Sequence, residues 1–154
     1  MISQKRGTSI LMRTKIMEAI TKVWFDEGRI FILTDRNNIY SRPLEAFPLL
    51  LDATEEQRAK YEIGLEGDDL HWDDIDEDIH ISSFFDTAEP DMNNPVAEVF
   101  KRFPQLNVSE VARTMGINKS LLSRYIYGIK KPSQQRVDQI MSTIREIGHQ
   151  MASI

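Results

Sequence analysis

The chain has 154 residues, a formal net charge of −5, 41% hydrophobic and 28% charged residues, and no cysteine. That balance belongs to a folded, water-soluble protein rather than a disordered one, and no apolar run approaches the roughly 18 residues of a membrane span. Disulfides, thiol nucleophiles and zinc–thiolate sites are excluded, and the first residues carry Lys5 and Arg6 without an apolar stretch of signal-peptide length. The expectation is a cytoplasmic protein without a membrane partner.

Charge divides the chain. Residues 1–94 hold 10 Lys+Arg against 20 Asp+Glu, for a net of −10, whereas residues 95–154 hold 9 against 4, for a net of +5. No basic residue lies between Lys60 and Lys101. An acidic front and a basic back point to nucleic-acid contact by the basic part, although a solvated acidic face beside an ordinary basic one would give the same totals. The expected organisation is a flexible extension over residues 1–13, an acidic α+β domain over 14–86, a linker over 87–94 and a helical domain over 95–154.

In the front part, Lys22-Val23-Trp24-Phe25 and Ile30-Phe31-Ile32-Leu33 are β-rich runs separated by Asp26-Glu27-Gly28, which predicts a hairpin. Asp35-Arg36-Asn37-Asn38 forms the next turn and Ile39-Tyr40-Ser41 a third strand. Residues 44–51 are apolar and read as a helix with Pro48 near its beginning; Thr54-Glu55-Glu56-Gln57 fits a capping box that opens another. Residues 61–65 read as a strand, and residues 79–81 as a last one after an acidic turn. The result is an α+β domain, a small antiparallel sheet with helices.

Ordered phrases through this region, Val23-Trp24-Phe25-Asp26, Pro43-Leu44-Glu45-Ala46-Phe47-Pro48, Ala53-Thr54-Glu55-Glu56-Gln57-Arg58 and His71-Trp72-Asp73-Asp74-Ile75-Asp76-Glu77-Asp78-Ile79, resemble the bacterial family called domain of unknown function 2442, over about residues 14–86. The resemblance implies no established activity. Its members include fusions to a helix-turn-helix and proteins that resemble partners in toxin–antitoxin-like gene pairs. Asp73 stands where related sequences tend to have a proline after His-Trp.

Asp86 to Asn94 is polar, contains Pro90 and lacks apolar periodicity, as an exposed connection does. Asn94-Pro95 then reads as a cap followed by a first helical turn. Val96, Val99, Phe100 and Phe103 make one apolar face, and Pro104 stops it. A second helix is expected with Ser109 as cap and Val111, Ala112 and Met115 inward. Gly116 sits where the chain must turn sharply. Asn118 caps a third helix to about Tyr127, with Leu122, Tyr125 and Ile126 inward. Pro132 and Ser133 open a fourth helix with a stripe of Val137, Ile140, Met141, Ile144 and Ile147, and Gly148 is the expected stop.

Two helices joined by a tight glycine turn make a helix-turn-helix. The stretch LNVSEVARTMGINKSLLSRYIYGIKKPSQQRVDQI, residues 106–140, resembles the Cro/cI-type (lambda-repressor-like) DNA-binding family, with small Ala112 at the helix crossing and Tyr-Gly-Ile-Lys-Lys-Pro-Ser at the exit from the third helix. The resemblance implies an all-α lambda-repressor-like domain whose third helix enters the major groove. It directs Lys119, Ser120 and Arg124 toward base edges, with Ser123 at the edge of that face, and assigns phosphate contacts to Ser109, Tyr127, Lys130 and Lys131. Leu121 departs from the polar residue often found on the reading face; it contacts a thymine methyl or packs.

His71, Trp72 and the carboxylates of residues 73–78 raise a metal-binding or enzymatic alternative. Against it, Asp74, Asp76 and Asp78 lack the glycine and terminal glutamate of a calcium loop, and there is no HExxH or phosphate-binding glycine loop. The expected function is therefore non-enzymatic and needs no cofactor. It is that of a sequence-specific DNA-binding protein, a bacterial transcriptional repressor acting as a homodimer on double-stranded operator DNA. The acidic domain would dimerise, sense a small effector or bind a partner. The alternative from another class is an antitoxin-like autoregulatory protein whose acidic domain holds a basic protein.

Overall fold

The computed structural model describes residues 18–154; the extension expected over residues 1–13 lies outside them, as do residues 14–17. The chain divides into two units, one of residues up to Leu44 with Leu49–Thr87, the other of Glu45–Pro48 with Ala88–Ile154. Among the described residues no helix is long and apolar enough to cross a membrane.

In the first unit, strands β1 (Ile20–Asp26), β2 (Arg29–Thr34) and β3 (Ile39–Pro43) form an antiparallel sheet in that order. The β1–β2 connection is two residues long, and Glu27 and Gly28 both have positive φ, 48° and 73°. A two-residue turn with both centres left-handed matches the natural twist of a hairpin, so Asp26 pairs with Arg29 and the register runs back to Val23 opposite Ile32. Ile30, Ile32 and Thr34 alternate inward along β2. On the other face Trp24 stacks on its cross-strand partner Phe31, ring centroids 5.4 Å apart.

The helix expected over residues 44–51 is split into a 3-10 turn, Leu44–Ala46, and a single α-turn, α1 (Pro48–Leu51). α2 (Glu55–Ala59) opens with the expected capping box, the Thr54 hydroxyl accepting from the Gln57 N–H while the Gln57 side chain accepts from the Thr54 N–H. A second antiparallel sheet, in the order β4 (Glu62–Ile63), β5 (Asp69–Trp72) and β6 (Glu77–His80), follows. β5 falls where the sequence pattern predicts an acidic turn. Leu70 and Trp72 are fully buried while Asp69 and His71 point outward, so the alternation is genuine although its polar half hides it. The Trp72 ring is anchored by Nε1, which donates to the Arg58 carbonyl at 3.0 Å.

Glu18, only 3% exposed, enters this unit ahead of β1. Its carboxylate accepts from the Thr34 hydroxyl at 2.6 Å, the Asn38 amide at 2.7 Å and the Tyr40 hydroxyl at 3.0 Å. Burial pushes its pKa up, but those three hydrogen bonds and the charge of Arg36 outweigh burial and hold the carboxyl below its ordinary value. A buried carboxylate is tolerated because its oxygens are met on three sides.

The second unit is helical: α3 (Pro95–Arg102), α4 (Val108–Met115), α5 (Lys119–Ile126) and α6 (Gln134–Ala152). Each begins on a polar cap. Asn94, Asn107, Asn118 and Ser133 accept from the N–H groups of Ala97, Glu110, Ser120 and Arg136. The cap of α4 is thus Asn107 rather than Ser109, which lies inside the first turn. Val96, Ala97, Val111, Ala112, Leu122, Tyr125, Ile126 and Ile140 form the core. Phe103, expected inward, is 44% exposed because α3 ends before it. Gly148 does not stop α6, which runs on to Ala152.

Residues 87–94 are not wholly a free connection. The Asp91 N–H donates to the Tyr127 carbonyl at 2.8 Å, and Met92 packs against the helical core.

The cap assignment predicts that Asn107→Ala lowers the denaturant midpoint by the equivalent of about 1 kcal/mol, while Ser109→Ala costs less than about 0.5 kcal/mol. The opposite order would return the cap to Ser109.

Candidate functional site

α4 and α5 are joined by three residues, Gly116, Ile117 and Asn118. Gly116 adopts φ 70°; its N–H donates to the Arg113 carbonyl at 3.1 Å and that of Ile117 to the Ala112 carbonyl at 3.0 Å. This paired closure satisfies carbonyls the helix end leaves open and needs a left-handed residue. Ile117 then folds back onto the core and Asn118 starts α5. Leu122, Tyr125 and Ile126 bury one side of α5, and α4 meets it through Val111 and Ala112.

Lys119 is exposed at the first position of α5, Ser120 is half-buried at the second, and Arg124 is half-buried one turn on. Within the second unit, Arg124 Nε donates to the Ala46 carbonyl at 3.0 Å, which leaves the four Nη donors of its guanidinium. Ser123 is buried at 8% exposure. Leu121 packs, half-buried, against the core. Tyr127 closes α5, its N–H donating to the Ser123 carbonyl at 2.9 Å. Lys130 and Lys131 are exposed in the exit segment, where the N–H groups of Ile129 and Lys130 donate to the Arg124 carbonyl. Ser109, half-buried, sits in the first turn of α4. Lys119, Ser120 and Arg124 therefore ride on one helix, and Tyr127, Lys130 and Lys131 on its end and exit.

The acidic segment of the first unit has a different chemistry. His71 and Asp78 are cross-strand partners in β5 and β6, which brings Nδ1 of His71 into a hydrogen bond with Asp78, while Nε2 bonds Asp73. His80 Nε2 lies 3.7 Å from Asp68. Both imidazole nitrogens of His71 are thus engaged by carboxylates. Among the described residues no group of three or more histidine and carboxylate ligands converges.

An open concavity of about 490 Å³ in the same unit is lined by residues including Phe25, Asp26, Arg29, Leu44, Glu55 and Arg58. Arg58 is committed there, donating to the carbonyls of Leu50 and Leu51 at 2.8 and 2.9 Å, and so ties α2 to α1.

The hydrogen bond to Asp78, and after it the one to Asp73, raises the His71 pKa above the ordinary 6.5. The clamp's contribution to stability is thus full below that ordinary value and is lost as pH rises through the raised folded value. In an NMR titration the His71 ring should protonate above 6.5, and Asp78→Asn should move its midpoint down. An unshifted midpoint in both proteins would rule the clamp out.

Among solved structures the chain is similar to a "Putative DNA Binding Protein" from Nitrosomonas europaea, at 17% identity over 80% of this chain and 84% of that one, with a TM-score of 0.33. No curated protein matches it. Residues 20–89, which carry both sheets, match the family described as "Protein of unknown function (DUF2442)".

Proposed function

We propose that this chain is a sequence-specific DNA-binding protein, a transcriptional repressor, in which α4, the Gly116 turn and α5 form a helix-turn-helix with α5 as the recognition helix. The observation that carries the reading is the α4–α5 pair itself. Two eight-residue helices share a core, a left-handed glycine closes the corner between them, and α5 carries Lys119, Ser120 and Arg124 outside that core.

In this reading Lys119, Ser120 and Arg124 address base edges, while Ser123, expected at the edge of that face, is buried and does not. Lysine and arginine suit the O6 and N7 of guanine, and the Nη pair of Arg124 supplies a bidentate fork. Ser109, Tyr127, Lys130 and Lys131 contact phosphates and set the register. The helical part's net charge of +5 supports approach to the duplex. One recognition helix reads only a few base pairs, so the protein acts as a dimer on a two-fold site and represses by occupying a promoter. The acidic part, residues 18–94 with 6 Lys+Arg against 20 Asp+Glu, stays off phosphate and serves assembly or regulation. No covalent chemistry is involved.

Binding to the DNA upstream of the protein's own gene, compared with scrambled DNA across about 50–200 mM salt, tests the proposal. Preference for the upstream DNA that survives the higher salt is expected; equal, vanishing binding to both would overturn it. Within a binding protein, Lys130→Ala should weaken all sequences alike and flatten the salt slope by about one. Arg124→Ala should cost about 1–3 kcal/mol and relax preference at one base position. If both merely weakened binding uniformly, Arg124 would not read a base.

A further inference from the structure

The segment just before α3 is bonded to the far end of α5. Asn94 uses both ends of its carboxamide. Its Oδ1 accepts from the Ala97 N–H at 2.9 Å and caps α3, while its Nδ2 donates to the Ile126 carbonyl at 3.2 Å and to the Asp91 carbonyl at 3.0 Å. Asp91 adds its N–H to the Tyr127 carbonyl at 2.8 Å, and its carboxylate accepts from the Asn93 N–H at 2.9 Å. Lys101 Nζ donates to the Met92 carbonyl at 3.2 Å, and the Met92 side chain packs on the core. Gly128 leaves room for this arrangement, since a β-carbon there would collide with the Asp91 carbonyl.

We infer that residues 91–94 are a positioning strap for the DNA-reading helix, with the Asn94 amide as its clasp. The inference rests on the proposal that α5 reads DNA. The last carbonyls of a helix have no partners within it, and a helix of eight residues has little to hold its final turn in place. The strap takes two of those carbonyls, Ile126 and Tyr127. Tyr127, Lys130 and Lys131 leave from that turn, so its placement decides whether they meet phosphates while Lys119 and Arg124 meet bases. A cap on α3 alone would require only Oδ1; the Nδ2 bonds tie the start of one helix to the end of another. Asn94 is a positioning residue and touches no DNA.

Asn94→Ser in the full chain separates the two roles, because serine still caps α3 but has no amide to donate to Ile126. In free wild-type protein the Asp91 amide should exchange slowly with solvent, and in the variant fast, with the amides of Leu122 and Ile140 equally protected in both. Affinity for the preferred upstream DNA should fall by about 3- to 10-fold, the scale of one hydrogen bond, and the salt slope should flatten as Lys130 loses its phosphate. A fall in affinity with Leu122 and Ile140 deprotected as well would mean general destabilisation and would overturn the positioning role. So would unchanged affinity in the variant, or an Asp91 amide unprotected in the wild type. If the wild type preferred no DNA, the regulator reading would fail first and take the positioning role with it; preference retained equally by both proteins would remove the strap alone.

Discussion

The burial of one side of α5 is the constraint on which the helical part depends. Eight residues make about two turns, too short to persist in water by their own propensity. Leu122, Tyr125 and Ile126 secure the helix by packing with Val111, Ala112, Val96, Ala97 and Ile140. Small side chains at Ala97 and Ala112 let the neighbouring helices approach closely, and both are essentially inaccessible to solvent. Because the packing holds α5 from one side, its remaining surface can be polar without loss of stability. The same arrangement that makes this helix exist leaves Lys119 and Ser120 outside the buried cluster.

The first unit solves a different problem. Its described residues, 18–44 and 49–87, hold 6 Lys+Arg against 17 Asp+Glu, a net charge of −11, and self-repulsion of that size works against compactness. Local pairings relieve part of it: His71 between Asp73 and Asp78, Lys60 at 3.3 Å from Asp74, and Arg42 at 3.7 Å from Asp86. The exposed pairs contribute little individually. The unit's stability rests instead on the Ile30, Ile32, Leu50, Leu70, Trp72 and Ile81 interior, with Glu18 fastening the β2–β3 turn through Thr34, Asn38 and Tyr40. The geometry around that buried carboxylate explains its charge, since each of its partners donates.

Much of this was legible in the sequence where local chemistry decides the outcome. The Asp26-Glu27-Gly28 turn, the Thr54–Gln57 box, the Asn94 and Asn118 caps and the Gly116 corner are properties of a few adjacent residues. Legibility ends where distant contacts decide. β5 carries Asp69 and His71 on its outer face, so only two of its residues announce a strand. Ser109 and Asn107 are both good caps, and the choice between them depends on where α4 docks its apolar residues. Glycine within a helix costs about 1 kcal/mol relative to alanine; at Gly148 the helix continues past Ile140, Ile144 and Ile147, which pack on the core. For the candidate site, the spacing marks two short helices joined at Gly116, but the role of each side chain came from a family likeness. Asp91-Met92-Asn93-Asn94 shows no periodicity because its order is set by carbonyls more than thirty residues away.

The two charge populations give the proposed regulator a particular balance of forces. The proposed regulator carries a net charge of −5 as a whole, which a DNA duplex would repel weakly, while its helical part carries a net charge of +5. At physiological ionic strength the Debye length is about 8 Å, so a positive charge acts chiefly on a phosphate within that distance. Such a protein has little of the long-range steering that lets strongly basic domains coat any duplex. In the proposed reading its affinity would come from contacts made only when the helix is seated, where hydrogen bonds to bases and well-placed phosphate contacts add to a modest electrostatic term. Precision in the seating of α5 therefore carries more weight than it would in a protein with charge to spare. That is the physical reason a short polar segment which fixes the end of α5 can matter as much as the cations that follow it.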